Sequence, residues 1–350
     1  MTFTDFNFPS RVVIGEDVIE ITPRILKEMN CMEAVIVTDK IVFEIVARKL
    51  IDNLSNGGVE ILTHIIEDST VKEVDKVRGI VKEYGSCTVI GLGGGKPIDV
   101  AKYSSYLEKV NFVSIPTSIS HDGIASPIVA LKDKDLRPLS IFTHPPKVVI
   151  ADLTIISKAP ERLLRSGFAD IIGKITSVRD AYLAIKMKGE EISEYSLYLA
   201  KMGYRIAIDY AREIASKEIP GIRALAEAAL TCGMAMSVAG SSRPCSGSEH
   251  LFSHALDKLY PEKKSLHGEQ VGLGTILMAY FHGINWKKIK YYLQLVGAPT
   301  TAAELGIPDD IVVKAITTAH KLRKRYTILG ENGVSEKAAL RAAKTTGVIS

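Results

Sequence analysis

The stretch "SGSEHLFSHALD", Ser246 to Asp257, places His250 and His254 four residues apart in a helix-like run. Residues at that spacing share one helix face, one turn apart, so both imidazoles can reach the same point. Such a pair can hold a metal, move protons or simply pack. It is not the H-E-x-x-H zinc pattern, because Glu249 precedes the first histidine. His267 follows in the same region, and a set of two histidines and an acid needs one carboxylate more. Asp170, in the apolar helical run "SGFADIIGK", is costly to bury unless something pairs with it. Three protein ligands would leave a coordination position open, as a catalytic metal requires. Of the eight histidines, His64, His144, His282 and His320 sit in no constellation and read as surface or hydrogen-bonded core imidazoles. His121, in "SISHDG", reads as a turn residue near a cofactor.

A second chemistry-bearing stretch is "VIGLGGGKPIDVAK", Val89 to Lys102: a strand, a glycine turn and a helix start. Glycines let backbone amides approach a phosphate, and the helix amino terminus adds positive potential. Pro97 fits the first helical turn, where its missing N–H costs nothing. The turn is neither G-x-G-x-x-G, which would need glycine at Lys96, nor Walker A, which would need glycine at Ile90 and Ser or Thr at Pro97. It nevertheless suits a pyrophosphate. Asp39 ends an upstream strand, where an acidic residue can meet a ribose hydroxyl, although strand-ending aspartates are also common turn residues. Arg243 is a candidate phosphate ligand, since guanidinium binds phosphate bidentately; a surface salt bridge is its plainer alternative.

These residues need elements to position them. "EAVIVTDK" (Glu33–Lys40), "EILTHII" (Glu60–Ile66), "CTVIGLGGG" (Cys87–Gly95), "VNFVSIPT" (Val110–Thr117) and "KVVIADL" (Lys147–Leu153) read as strands. Helical runs such as "VFEIVARKLIDNLSNGG" and "VKEVDKVRGIVKEYG" separate several of them. This alternation predicts an α/β amino-terminal domain over 1–154, with a Rossmann-like parallel sheet for a dinucleotide. From 155 to 350 apolar residues recur at helical spacing, which predicts an all-helical domain carrying the metal and the substrate. A cleft between the halves is the expected meeting place of cofactor and substrate.

At 350 residues and a formal charge of +4, the chain is ordinary in composition. The basic runs "NWKKIK" and "HKLRKRY" (His320–Tyr326) read as solvated helix faces, so no nucleic-acid partner is expected. Cys31, Cys87, Cys232 and Cys245 form no C-x-x-C and read as reduced, mostly buried thiols. No signal peptide and no stretch of roughly 20 uninterrupted apolar residues is visible, so a cytoplasmic protein without membrane insertion is expected.

The motifs resemble the superfamily of glycerol dehydrogenases, iron-type alcohol dehydrogenases and dehydroquinate synthases. "GLGGGKPIDVAK" is similar to its GGGS-x-x-D-x-AK loop, with Lys96 and Pro97 departing from the serine version. "IPTSISHDGIASP", "GFADIIGK" and "HGEQVGLG" resemble its cofactor, metal-aspartate and metal-histidine segments. "SSRPCSGSEHLFSHALD" and "LHGEQVGLGT" resemble most the archaeal sn-glycerol-1-phosphate dehydrogenase branch. The resemblance implies that Asp170, His250 and His267 bind Zn2+ and that His254 faces the substrate, by analogy with the "GHTFGHA" of dehydroquinate synthases. An alignment through glycerol dehydrogenase would exchange His250 and His254. The resemblance also places Asp122 beside the substrate and implies Asp122, Asp170 and His254 as the catalytic set; Arg243, on its own chemistry, is the further candidate substrate contact. Gly94, Gly95, Lys96, Pro97, Ile98, Asp99, Thr117, Ser118, Ile119, Ser120 and Ser126, with Asp39, would line NAD(H) or NADP(H). The implied reaction is reversible reduction of dihydroxyacetone phosphate to sn-glycerol 1-phosphate, for archaeal ether lipids, in a homo-oligomer. Glycerol dehydrogenation and a dehydroquinate-synthase-like elimination are the alternatives.

Overall fold

A computed structural model describes residues 6–135, 137–262 and 264–350. The chain divides into two compact units, one ending at Pro160 and one running from Glu161 to Ser350. The first holds strands β1 (Arg11–Gly15), β2 (Glu33–Asp39), β3 (Glu60–Ile66), β4 (Thr88–Gly93), β5 (Asn111–Pro116), β6 (Ile128–Lys132), β7 (Pro138–Phe142) and β8 (Val148–Asp152). Six form a sheet in the order β1-β8-β5-β4-β2-β3, every neighbouring pair parallel. Helices α1 (Arg48–Asn56), α2 (Val71–Tyr84) and α3 (Gly95–Glu108) belong to the crossovers. β4 and β8 are buried along their whole length, which is why they read as unbroken apolar runs rather than as alternation.

Three strands escape the sequence pattern. β1 is a short edge strand whose residues are mostly half-buried, so "RVVIG" carries neither alternation nor a long apolar run. β6 and β7 form a separate antiparallel pair. It is seated by side chains of α3: Asp99 Oδ2 accepts from the Ala130 N–H at 3.1 Å, and the buried Lys102 Nζ donates to the Ile128 carbonyl at 2.8 Å.

The expectation of four reduced thiols is corrected at two positions. Cys31 and Cys87 are joined as a disulfide, their Cα atoms 5.8 Å apart. They lie 56 residues apart in sequence, and only the parallel pairing of Ala34 with Thr88 brings the starts of β2 and β4 together.

The second unit is helical, and among its described residues no strand occurs. Its elements include α4 (Glu161–Ile172), α5 (Lys174–Lys188), α6 (Glu194–Asp209), α7 (Ile219–Ala239), α8 (Ser248–Leu259) and α9 (His267–Phe281). By length and composition α7 could cross a membrane, although Arg223 and Glu227 interrupt its apolar run; 72% of its most apolar window is buried inside the protein, where it packs along α6. It is a core helix. α9 packs against both α4 and α8. Gly268 permits this, because a Cβ there would lie 1.9 Å from the Ser166 carbonyl oxygen of α4.

Candidate active site

In the first unit the chain leaves β2 toward β3 on one side and returns through β4 toward β5 on the other. The carboxyl ends of β2 and β4 therefore flank the switch point of the sheet, where open α/β folds bind ligands. Asp39 and the glycine turn occupy those two ends. Asp39 Oδ1 accepts from the Val42 N–H at 3.0 Å, and its Oδ2 lies 3.4 Å from where a Cβ on Gly93 would stand. Gly93 has φ 147°, a conformation other residues avoid, and a Cβ would also press on Pro97. Helix α3 opens at Gly95 without a side-chain cap on Gly94, so its first amides have no intrahelical acceptor. A Cβ on Gly95 would fall 2.2 Å from His121 Nε2, which leaves that side of the turn as bare backbone.

The other expected cofactor residues divide by what their side chains do. Ile98 is fully buried, and both Asp99 oxygens are engaged, with Lys102 at 3.5 Å and with Ala130 N–H. Any contribution of these two to a cofactor comes from the backbone. Lys96 extends to Asp68 at 2.8 Å, and Lys132 meets the second oxygen of that carboxylate at 2.6 Å. Burial works against the Asp68 charge, yet the two lysines and the Ser69 amide bring its pKa down to about 2. The Thr117 N–H donates to the Gly93 carbonyl at 3.0 Å, fixing the end of β5 beside the turn. Ser118 and Ile119 are buried, and Ser120 is half-buried. The Ser126 hydroxyl is used within its own turn, on Ile128. Asp122 begins a short helical turn, but its cap is His121, whose Nδ1 accepts from the Gly123 N–H at 2.9 Å.

In the second unit, α4, α8 and α9 bring Asp170, His250 and His267 together, one ligand atom from each within 4.8 Å of the others. His250 Nε2 lies 3.4 Å and His267 Nε2 3.9 Å from Asp170 Oδ1. Ligands held about 2.0–2.1 Å from a tetrahedral zinc-sized ion stand roughly 3.3–3.4 Å apart, so the spacing fits co-ligands. The opposite ring atoms are taken: His250 Nδ1 meets Glu249 Oε1 at 2.7 Å, and His267 Nδ1 meets the Ser253 hydroxyl at 3.2 Å. Such outer partners fix a ligand's tautomer and aim. Lys174 Nζ sits 3.0 Å from Asp170 Oδ2, opposite the histidines. Burial opposes the Asp170 charge, but Lys174 and then the two histidines offset it and hold the carboxyl well below its usual range.

His254 stands one turn from His250 with its ring stacked toward His267, centroids 6.2 Å apart. Burial lowers its pKa, the Asp257 carboxylate works the other way, and the charge of Arg323 adds to the lowering. Arg243 is almost fully buried: its Nη2 donates to the carbonyls of Tyr326, at 2.5 Å, and Asp180, at 3.3 Å, and its Nε faces Glu190 at 3.1 Å. In this arrangement Arg243 ties segments of the unit together.

Several partners escaped the sequence reading. Glu249, out of place for H-E-x-x-H, is the fully buried acceptor that His250, Thr176 and the Gly247 amide share. Asp180 receives the Ser248 N–H and hydroxyl, His282 and the Ile328 N–H, which seats the start of α8. The partners of Asp180, and Thr176 for Glu249, are distant in sequence; the nearer signals were Glu249 itself, next to His250, and "GK" after the Asp170 helix, for Lys174.

The architecture is shared with solved structures: glycerol dehydrogenase from Schizosaccharomyces pombe superposes with TM-score 0.81 at 21% identity, covering 99% of this chain and 91% of that one. A probable glycerol dehydrogenase from Sinorhizobium meliloti gives 0.80, also at 21% identity, covering 98% of each chain. Residues 13–160 match the family model described as iron-containing alcohol dehydrogenase. The fold is thus that of the glycerol and iron-containing alcohol dehydrogenases. Among curated relatives, glycerol-1-phosphate dehydrogenase (NAD(P)+) from Thermofilum pendens is 49% identical over 340 residues, 97% of each chain. The Pyrococcus furiosus enzyme of the same name is 47% identical over 98% of this chain and 99% of its own. The protein belongs to this glycerol-1-phosphate dehydrogenase family.

Proposed function

We propose that the chain catalyses the reversible reduction of dihydroxyacetone phosphate to sn-glycerol 1-phosphate, with hydride supplied by NADH or NADPH. The reading rests on one observation above all: an acid and two imidazoles converge through Asp170 Oδ1 and two Nε2 atoms while Glu249 and Ser253 occupy both Nδ1 atoms. That donor set suits Zn2+. A zinc ion held there supplies Lewis-acid polarisation of the C2 ketone and stabilises the negative charge that grows on its oxygen.

The chain's own groups do the rest. Asp170, His250 and His267 hold the ion, and Lys174 keeps Asp170 ionised. The glycine turn and the start of α3 bind the pyrophosphate through backbone amides, and Asp39 meets a ribose hydroxyl. His254, held below its ordinary pKa mainly by burial, is neutral near pH 7. Its imidazole takes the alcohol proton in the oxidative direction and returns it in the reductive one. Asp122 contributes a polar contact to the substrate. The names of the relatives support the phosphorylated three-carbon substrate and the nicotinamide cofactor.

The test is cofactor oxidation followed with dihydroxyacetone phosphate and with dihydroxyacetone, before and after chelation. The reading expects preference for the phosphate ester, loss of turnover on chelation and recovery with zinc. Preference for bare dihydroxyacetone would indicate a glycerol dehydrogenase, and no net cofactor oxidation would indicate an elimination chemistry.

A further inference from the structure

The run "HKLRKRY" does not form a solvated helix face. Its helical part ends with the turn Ala319–Lys321, and the following residues line a cavity of about 670 Å³ in the second unit. Among the described residues, Lys188, Lys321, Arg323, Lys324 and Arg325 line it against two acids, Glu190 and Glu331. Both acids are engaged: Glu190 pairs with Arg243 and Glu331 with Lys188. Among the described residues no carboxylate forms an ion pair with Arg323 or Arg325, although both are partly buried. Two such guanidinium groups close together are unfavourable unless an anion joins them.

Their position ties the cavity to the histidine helix. Arg325 donates through Nη1 to the Ser246 carbonyl and through Nη2 to the Ser242 hydroxyl at 3.0 Å, in the loop leading into α8. The Ala319–Lys321 turn packs on α8 itself, and the charge of Arg323 reaches His254. We infer that Arg323 and Arg325 form the seat of the substrate's phosphate monoester, beside the ion-binding histidines. The inference rests on the phosphorylated-ketose reading above. Planar guanidinium forks match a phosphate bidentately, and a dianion there relieves the repulsion between them. The Arg325 pKa is lowered to about 10, first by burial and then by the charges of Arg243 and Arg323. Arg243, behind the cavity and held by backbone carbonyls, positions this wall.

The experiment compares wild type with Arg323→Gln, because among the described residues the Arg323 side chain makes no hydrogen bond or ion pair whose loss would disturb the fold, and zinc content is measured alongside. The ratio of kcat/KM for dihydroxyacetone phosphate to kcat/KM for dihydroxyacetone is expected to fall roughly 10- to 100-fold, the worth of a charged hydrogen-bonded contact. Competitive inhibition by inorganic phosphate is expected to weaken by a similar factor. An unchanged ratio, or an equal loss with both substrates, overturns the inference while leaving the substrate reading intact. Phosphate inhibition that is sensitive to the substitution but not competitive with the ester also overturns it, pointing to a separate anion site. A wild-type enzyme indifferent to the phosphate overturns the substrate reading and this inference with it.

Discussion

Glu249 Oε1 lies 2.7 Å from His250 Nδ1, inside a helix turn where both side chains are buried. The contact commits one imidazole nitrogen to the protein; in the proposed metal set the other, Nε2, 3.4 Å from Asp170 Oδ1, would take the ion. Removing the Glu249 charge while keeping its shape should therefore weaken metal binding without removing a ligand. Glu249→Gln is expected to lower zinc affinity about 10- to 100-fold, read by competition with a chromogenic chelator. Unchanged affinity would reduce Glu249 to a packing role.

The two histidines of α8 have different duties in this account. His250→Ala should abolish stoichiometric zinc, measured by elemental analysis of the purified protein. His254→Ala should retain zinc and lose turnover by roughly 10²–10⁴-fold, the range for a positioned acid–base group. If both variants lose zinc equally, the division of labour fails.

Lys174 is completely buried and faces Asp170 Oδ2 at 3.0 Å. Lys174→Met leaves a buried carboxylate without its main neutralising charge. The zinc-free protein is expected to lose about 3–5 kcal/mol of unfolding free energy in urea. A loss below about 1 kcal/mol would show that the histidines alone sustain the Asp170 charge.

Asp68, bridging Lys96 and Lys132 beside the glycine turn, links stability to pH. Its pKa is lowered from 3.8 to about 2, so the folded state binds this proton less readily than the unfolded one. The stabilisation is fully present above the unfolded value and is lost as pH falls from there through about 2. Asp68→Asn should thus be less stable than wild type at pH 6, by about 1 kcal/mol or less for a partly exposed pair, and the two should converge toward pH 2. A difference that persists undiminished at the acid end would assign the effect to packing.

The parallel sheet was legible because buried strands such as β4 and β8 are written as unbroken apolar runs with helices between them. The β6–β7 pair was not, since its seat is Lys102 and Asp99 of α3, and that contact depends on tertiary folding. Asp170, the histidine pair and His267 could be singled out by residue type and spacing. Asp180 could not, because its partners lie on distant segments; Glu249 beside His250 and Lys174 four residues after Asp170 are close in sequence, but only the folded geometry turns these side chains onto each other. The same holds for Arg323 and Arg325. Their charge density suggests a solvated helix, and only the end of the helical turn at Lys321 directs them into a cavity.

The most direct measurement is the steady-state reduction of dihydroxyacetone phosphate by NADH and NADPH with the zinc-loaded protein, followed by determination of the product's enantiomer. Stoichiometric cofactor oxidation and sn-glycerol 1-phosphate as the product are expected. Formation of sn-glycerol 3-phosphate, or no net oxidation of either cofactor, would contradict the proposed reaction.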